Sequence, residues 1–134
     1  MLPGGSLVNA KRLEYTVTSR LGDPAHAEPD WTAEHLLLAA LARCSLTSLE
    51  FHAKRRSITV SGTAKAEGVV TERDEDGRYA FVELDVRLGV ELDPVPDEDG
   101  VAELLALAER DCFIGASLTA PPHYVWVVNG SEVA

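Results

Sequence analysis

The sequence predicts one α+β domain with a buried central helix. Strand-like and helix-like patterns alternate along the chain in the order strand, helix, hairpin, helix, strand. No internal repeat or inter-domain linker interrupts this order. The 134 residues are near the usual size of a single domain, so we treat residues 1–134 as one unit.

The first half of the chain predicts a strand followed by the central helix. Polar and apolar residues alternate over 13–17 and onward to Arg20, and the loop 21–30 then contains one glycine and two prolines. Thr32 is placed to cap the helix, with Glu34 in its first turn. Six leucines cover so much of its circumference that burial on nearly all sides is expected: Leu36, Leu37, Leu38, Leu41, Leu46 and Leu49. Lys54, Arg55 and Arg56 oppose the negative end of the helix dipole.

The second half predicts a long antiparallel hairpin, a second helix and a last strand. Two alternating, β-branched segments flank Asp74-Glu75-Asp76-Gly77, and the clearest apolar face is Val82, Leu84, Val86, Leu88 and Val90. A helix is expected to start near Asp97 to Asp99 and to carry an apolar stripe that ends at Cys112. Tyr124 to Val128 form the last predicted strand.

The charge balance excludes one class of partner. The formal net charge is -10, so most of the surface would repel a nucleic acid. The acidic runs at 71–79 and 91–100 are interpreted as solvated turns and helix starts. The first fifteen residues show no apolar segment behind a basic start, so we expect neither a secretory signal nor a transmembrane helix, no membrane partner and a cytoplasmic location.

Two cysteines, Cys44 and Cys112, each lie on the apolar face of a different predicted helix. The chain has neither CxxC nor HxxxH spacing, which argues against a zinc site and against a thioredoxin-like motif, and no cofactor is expected. Folding could bring the thiols together, so that one is oxidised to a sulfenic acid and the other condenses with it. Alternatively, both side chains act only as small hydrophobes in the core.

Two stretches resemble the signatures of one known family. TAEHLLLAALARCS (32–45) is similar to the helix that carries the reactive cysteine in the OsmC and organic hydroperoxide resistance (Ohr) family. AERDCFIGASLTAPPHYVWV (108–127) is similar to that family's second signature, a helix that ends in cysteine before a loop and a final strand. The resemblance implies an intertwined homodimer, with antiparallel sheets around the central helix, and a thiol-dependent peroxidase that acts on organic hydroperoxides.

The resemblance also implies roles for single residues. Cys44 matches the peroxidatic cysteine, Cys112 the resolving cysteine and Glu34 the family glutamate. An arginine near the N-terminal strand completes the family site; Arg20 is our candidate and Arg12 its rival. Ten residues of helix span roughly 15 Å, so Glu34 is expected to approach Cys44 of a second chain. In the Ohr branch the implied thiol reductant is a lipoyl group, so a lipoylated protein is a candidate partner.

The chain departs from the family pattern in one four-residue segment and at one further position. Phe113-Ile114-Gly115-Ala116 follows Cys112 where the peroxidase branches have Pro-Tyr-Ser-Asn, and Arg43 stands at a position that is commonly small. The first departure favours a second hypothesis, a non-catalytic module that binds an apolar ligand while its cysteines merely pack. Under the peroxidase hypothesis, apolar residues such as Phe51, Phe113 and Leu118 are expected around the site and favour organic hydroperoxides over hydrogen peroxide.

Overall fold

The computed structural model describes residues 11–24 and 26–133, in which five strands and three helices form an α+β fold. The strands are β1 (Leu13–Arg20), β2 (Thr59–Glu72), β3 (Tyr79–Asp93), β4 (His123–Val128) and β5 (Ser131–Val133). The helices are α1 (Ala33–Lys54), α2 (Glu98–Arg110) and the single turn α3 (Phe113–Ala116). The predicted class and order of elements are confirmed. The N-terminal segment, for which no signal sequence is expected, lies mostly outside the described residues.

The strands make one mixed sheet in the order β1-β2-β3-β4-β5. Neighbours are antiparallel except β3 and β4, which run parallel. The expectation of purely antiparallel pairing is therefore wrong at this position. A parallel pair needs a crossover connection, and α2 and α3 provide it. Helix α1 packs on β1 and β2, and α2 packs on α1.

Helix α1 starts with a reciprocal cap. The Thr32 hydroxyl accepts from the backbone N–H of His35, and the His35 ring accepts from the backbone N–H of Thr32. The side of α1 that packs in the fold contains its buried residues: Leu38, Leu41, Ala42, Ser45, Leu46, Ser48, Leu49 and Ala53. On other sides Leu36 is 50% exposed and Phe51 is 57% exposed. The expected burial on nearly all sides is therefore not reached within one chain.

By length and composition alone, α1 is also long and apolar enough to cross a membrane. It is the one helix in 11–24 and 26–133 that meets this criterion. Since α1 buries a continuous side against the sheet and α2, it serves here as a core helix.

The basic residues that end α1 make specific contacts. Lys54 lies in the last turn, 3.9 Å from the carboxylate of Glu50. Arg56 follows the helix and donates to Glu103 of α2 at 2.9 Å. The cluster therefore opposes the helix dipole through Lys54 and ties α1 to α2 through Arg56.

Strands β2 and β3 form the predicted hairpin. Leu84, Val86, Leu88, Val90 and Leu92 point into the core at alternate positions of β3. A bulge between Val69 and Val70 leaves Val82 outside the regular pairing, and Val82 is only partly buried. The predicted alternation thus holds from Leu84 onward.

The β4–β5 hairpin was missed by the sequence analysis, as was the short helix α3. Asn129 and Gly130 join the two strands with φ values of 48° and 87°. Two successive positive φ angles are typical of a type I′ hairpin turn, and Asn-Gly is its sequence signal. The signal was present, but β5 is only three residues long and shows no alternation.

Gly62 allows the close approach of β2 and β3. A Cβ at this position would overlap the carbonyl oxygen of Gly89 and lie 2.8 Å from Cγ1 of Val90. We predict that Gly62→Ala lowers the free energy of unfolding by about 1–3 kcal/mol, the usual cost of overpacking. Gly89→Ala on the facing strand is the matched control, because its Cβ would meet nothing within 4 Å. Urea denaturation measures both variants, and equal losses would contradict the prediction.

Candidate functional site

The fold brings Cys44 and Cys112 together from two different helical segments. Cys44 lies in α1, and Cys112 is the residue immediately before α3. The two thiols are free, and Cys112 is near enough to Cys44 to raise its pKa. Cys112 is fully buried, whereas Cys44 is partly exposed. The pair therefore has one thiol with solvent access and one without.

The surroundings of Cys44 act in opposite directions on its ionisation. Burial is the largest influence and raises the pKa of the thiol above its ordinary value. The backbone N–H groups of Ile114 and Phe113 lower this pKa, while the neighbouring Cys112 raises it. The net pKa is raised, so within one chain the thiol form of Cys44 is favoured at neutral pH.

Cys44 opens onto a cavity of about 610 Å³ between α1, the end of β1 and the loop that joins them. The loop contributes Pro24 and Trp31 to the wall. Helix α1 contributes one face, made of Leu36, Ala39, Ala40, Arg43, Cys44 and Thr47. The wall is largely apolar, so the cavity can accommodate a hydrocarbon group beside the thiol.

Two arginines share this cavity with Cys44. Arg43 is engaged, because its Nε donates to Ser19 Oγ at 3.0 Å and its Nη1 donates to the carbonyl oxygen of Asp23 at 2.8 Å. These bonds fasten β1 and the loop to α1. Arg20 lies at the exposed end of β1 and lines the cavity, but it is not among the main influences on the Cys44 pKa.

Most of the chain matches one known protein family. A family model described as OsmC-like protein matches residues 25–126, most of the chain. The chain belongs to the OsmC-like family. No curated protein matches it.

The OsmC-like fold is also seen in solved structures of low sequence identity. The OsmC-like protein of Mycoplasma pneumoniae superposes with a TM-score of 0.64 and 15% identity, over 88% of this chain and 96% of that one. An OsmC-like protein of unknown function from Vibrio cholerae gives 0.64 and 21%, over 71% of this chain and 63% of that one. The organic hydroperoxide resistance protein OhrB of Bacillus subtilis gives 0.54 and 18%, over 84% and 97%. At these identities the likeness concerns the fold.

The other residues predicted from the family resemblance do not line the cavity beside Cys44. Glu34 is in the first turn of α1 and is not part of the cavity wall. Arg12 precedes β1 and pairs on the surface with Glu83 at 2.8 Å. Phe51 and Phe113 are exposed and do not line the cavity, and neither does Leu118. The apolar wall that was expected from these three residues is supplied by other side chains.

Two hydroxyl groups beside Cys112 were missed from the sequence. Ser45 Oγ lies 3.6 Å from the Cys112 sulfur and donates to the Leu41 carbonyl oxygen at 2.8 Å. The Tyr124 hydroxyl lies near the same sulfur, since a Cβ on Gly115 would be 2.6 Å from this hydroxyl and 3.5 Å from the Cys112 sulfur. Tyr124 occupies an ordinary position of a predicted strand, so no local pattern marks it as a site residue.

The end of α2, which carries Cys112, is anchored from several sides. Ser48 donates to the Ala108 carbonyl oxygen at 2.8 Å, and Asp111 accepts from His52 at 2.7 Å and from Arg110 at 2.9 Å. Mainly because of Arg110, with His52 adding to the effect, the pKa of Asp111 falls to about 2. Asp111 is thus an anion at neutral pH and holds the position next to Cys112 against α1.

Proposed function

We propose that this chain is a thiol-dependent peroxidase that reduces organic hydroperoxides. One observation carries the proposal: Cys44 lines a cavity and lies near a second thiol that is fully buried. A substrate in the cavity meets Cys44 first. Cys44 is therefore assigned as the nucleophile and Cys112 as the thiol that resolves its oxidised form.

The reaction proceeds in two steps within one chain. The Cys44 thiolate attacks the distal oxygen of the hydroperoxide, the O–O bond breaks, and the other oxygen takes up a proton and leaves as an alcohol. The Cys112 sulfur then attacks the Cys44 sulfenic acid, so that an S–S bond forms and the S–O bond breaks. The departing hydroxide takes up a proton and leaves as water. A thiol reductant, such as the lipoyl group of a lipoylated protein, restores both thiols by disulfide exchange.

The shape and wall of the cavity support an organic substrate. Pro24, Trp31 and Leu36 present apolar surface to the cavity that Cys44 also lines. Burying a hydrocarbon group against this surface adds about 25 cal/mol per Å² of apolar area, an advantage that hydrogen peroxide lacks. Organic hydroperoxides are therefore favoured over hydrogen peroxide.

Cys44→Ser should abolish the consumption of cumene hydroperoxide, because it removes the nucleophile. Cys112→Ser should allow one oxidation per chain and leave a Cys44 sulfenic acid that dimedone traps and excess peroxide over-oxidises. Peroxide assays and mass spectrometry measure the two effects. An adduct on Cys112 in the Cys44→Ser protein, with turnover retained, would reverse the assigned roles.

The same chemistry separates catalysis from simple ligand binding. Stopped-flow mixing with cumene hydroperoxide should oxidise the wild-type thiol much faster than free cysteine. If the two rates are equal, the peroxidase proposal fails. The cavity would then favour the second hypothesis, an apolar ligand-binding module with packed cysteines.

Arg20 is proposed as the cation that keeps Cys44 charged during the reaction. A guanidinium that moves within about 4–6 Å of a thiol lowers its pKa by about 1–3 units. Arg20→Met should therefore slow Cys44 oxidation at neutral pH by about tenfold or more. Arg12→Met is the matched control, because Arg12 pairs with Glu83 away from the cavity. Loss of activity in the Arg12 variant alone would identify Arg12 as the activating residue instead.

A homodimer is proposed because Glu34 is too distant to act on Cys44 of its own helix. The exposed Phe51 on α1 and Phe113 on α3 offer an apolar surface for a second chain, which would bring Glu34 near the site. Light scattering at micromolar concentration should give twice the 14.4 kDa chain mass. Phe51→Asp should shift the protein towards monomer, whereas Val95→Asp at a similarly exposed position should not. A folded wild-type species of 14.4 kDa would contradict the proposal.

A further inference from the structure

We propose that Tyr124 is a catalytic residue of the resolving step, in which its hydroxyl donates a hydrogen bond to the Cys112 sulfur and promotes the attack on oxidised Cys44. This inference rests on the proposed peroxidase function. It concerns the second step only, because the Tyr124 hydroxyl and the Cys112 sulfur lie beside the same gap at Gly115, whereas Tyr124 is not part of the cavity wall that Cys44 lines.

Tyr124 is held in place by the sheet and by its aromatic neighbour. It pairs with Val86 in the parallel β3–β4 ladder, and its ring stacks on Trp126 with 6.4 Å between centroids. Trp126 is itself fixed, since its Nε1 donates to Glu109 at 2.8 Å and its side chain is almost fully buried. The hydroxyl therefore has a defined position beside Cys112.

Gly115 leaves the space that the hydroxyl occupies. A Cβ at position 115 would lie 2.6 Å from the Tyr124 hydroxyl and 3.5 Å from the Cys112 sulfur. The residues that follow Cys112, Phe113 to Ala116, carry no side-chain hydroxyl of their own. Tyr124 thus reaches the resolving sulfur from a separate strand, through a gap that only glycine provides.

The resolving step needs a donor at this position. Cys112 is fully buried, so water does not solvate the negative charge that forms on its sulfur when it loses its proton. The Ser45 hydroxyl already donates to the Leu41 carbonyl oxygen. Burial and the neighbouring Cys112 raise the pKa of Tyr124, so its hydroxyl keeps its proton and remains a donor over the working pH range.

The test separates the two steps in time. Reduced wild-type protein is mixed with one equivalent of cumene hydroperoxide and quenched with acid at intervals, and the intact mass distinguishes thiol, sulfenic acid and disulfide. In Tyr124→Phe the first step should proceed within about twofold of wild type. Disulfide formation should be about tenfold slower, and its pH profile should move up by about one unit, because a hydrogen bond to a charged group is lost.

Tyr79→Phe is the matched control, because Tyr79 is exposed and its hydroxyl accepts from the Lys11 backbone N–H. Its profile should match wild type. A role of Tyr124 in packing alone would leave the pH profile unmoved, since phenylalanine keeps the ring. Disulfide formation in Tyr124→Phe at the wild-type rate and with the wild-type pH profile would overturn the inference.

A second variant and a second oxidant keep the outcome decisive. Gly115→Ala retains the phenol but displaces its hydroxyl, so the same delay in disulfide formation is expected even if Tyr124→Phe does not fold. Diamide oxidises the thiol pair to a disulfide without peroxide. In this reaction too, Tyr124→Phe should form the disulfide more slowly than wild type, with the pH profile moved in the same direction. Suppose that the wild-type protein reacts slowly with peroxide while Tyr124→Phe still forms the disulfide more slowly than wild type with diamide. That result would reject the proposed function and retain the role of Tyr124.

Discussion

The parallel pairing of β3 with β4 is the constraint on which the site depends. Parallel neighbours cannot be joined by a tight turn, so the chain after Asp93 returns across one face of the sheet through α2 and α3. Because α2 packs on α1, the junction between α2 and α3 comes to lie against Cys44. The same crossover then delivers Tyr124 on β4 to the Cys112 thiol. One requirement of topology thus assembles two thiols and a phenol from three separate segments.

The contacts around Cys112 keep this junction from relaxing. Three hydrogen bonds reach the end of α2. Ser48 donates to the Ala108 carbonyl oxygen and Trp126 donates to Glu109. His52 bonds to Asp111, which follows the helix. In the described residues no buried polar side-chain atom lacks a partner, so the junction is anchored without a desolvation cost from unpaired groups. Burial has a different effect on Cys44, because it raises the pKa of this thiol and so disfavours the thiolate. In the proposed reaction, a cation offsets this effect so that Cys44 can react at neutral pH.

Local patterns in the sequence predict most elements, and they predict few of the contacts between them. Alternation from Leu84 to Val90 identifies β3, and Thr32 identifies the start of α1, because both signals arise within one element. The parallel direction of β4 leaves no local trace, since it depends on how the crossover packs. The cysteine pair was predicted through the family resemblance, and the structure brings the two residues near each other from separate helical segments. Glu34 stays away from Cys44 within one chain, and Tyr124 was missed because its role depends on a glycine nine positions earlier.

The gap at Gly115 has a consequence for how the sequence of this chain can change over time. The methyl group that residue 115 lacks and the hydroxyl that residue 124 carries occupy the same small volume beside the sulfur. The two positions are therefore coupled: a larger residue at 115 displaces the hydroxyl at 124 from its place beside the sulfur. Residues 115 and 124 are therefore expected to covary among related sequences: a tyrosine at 124 should occur together with a glycine at 115.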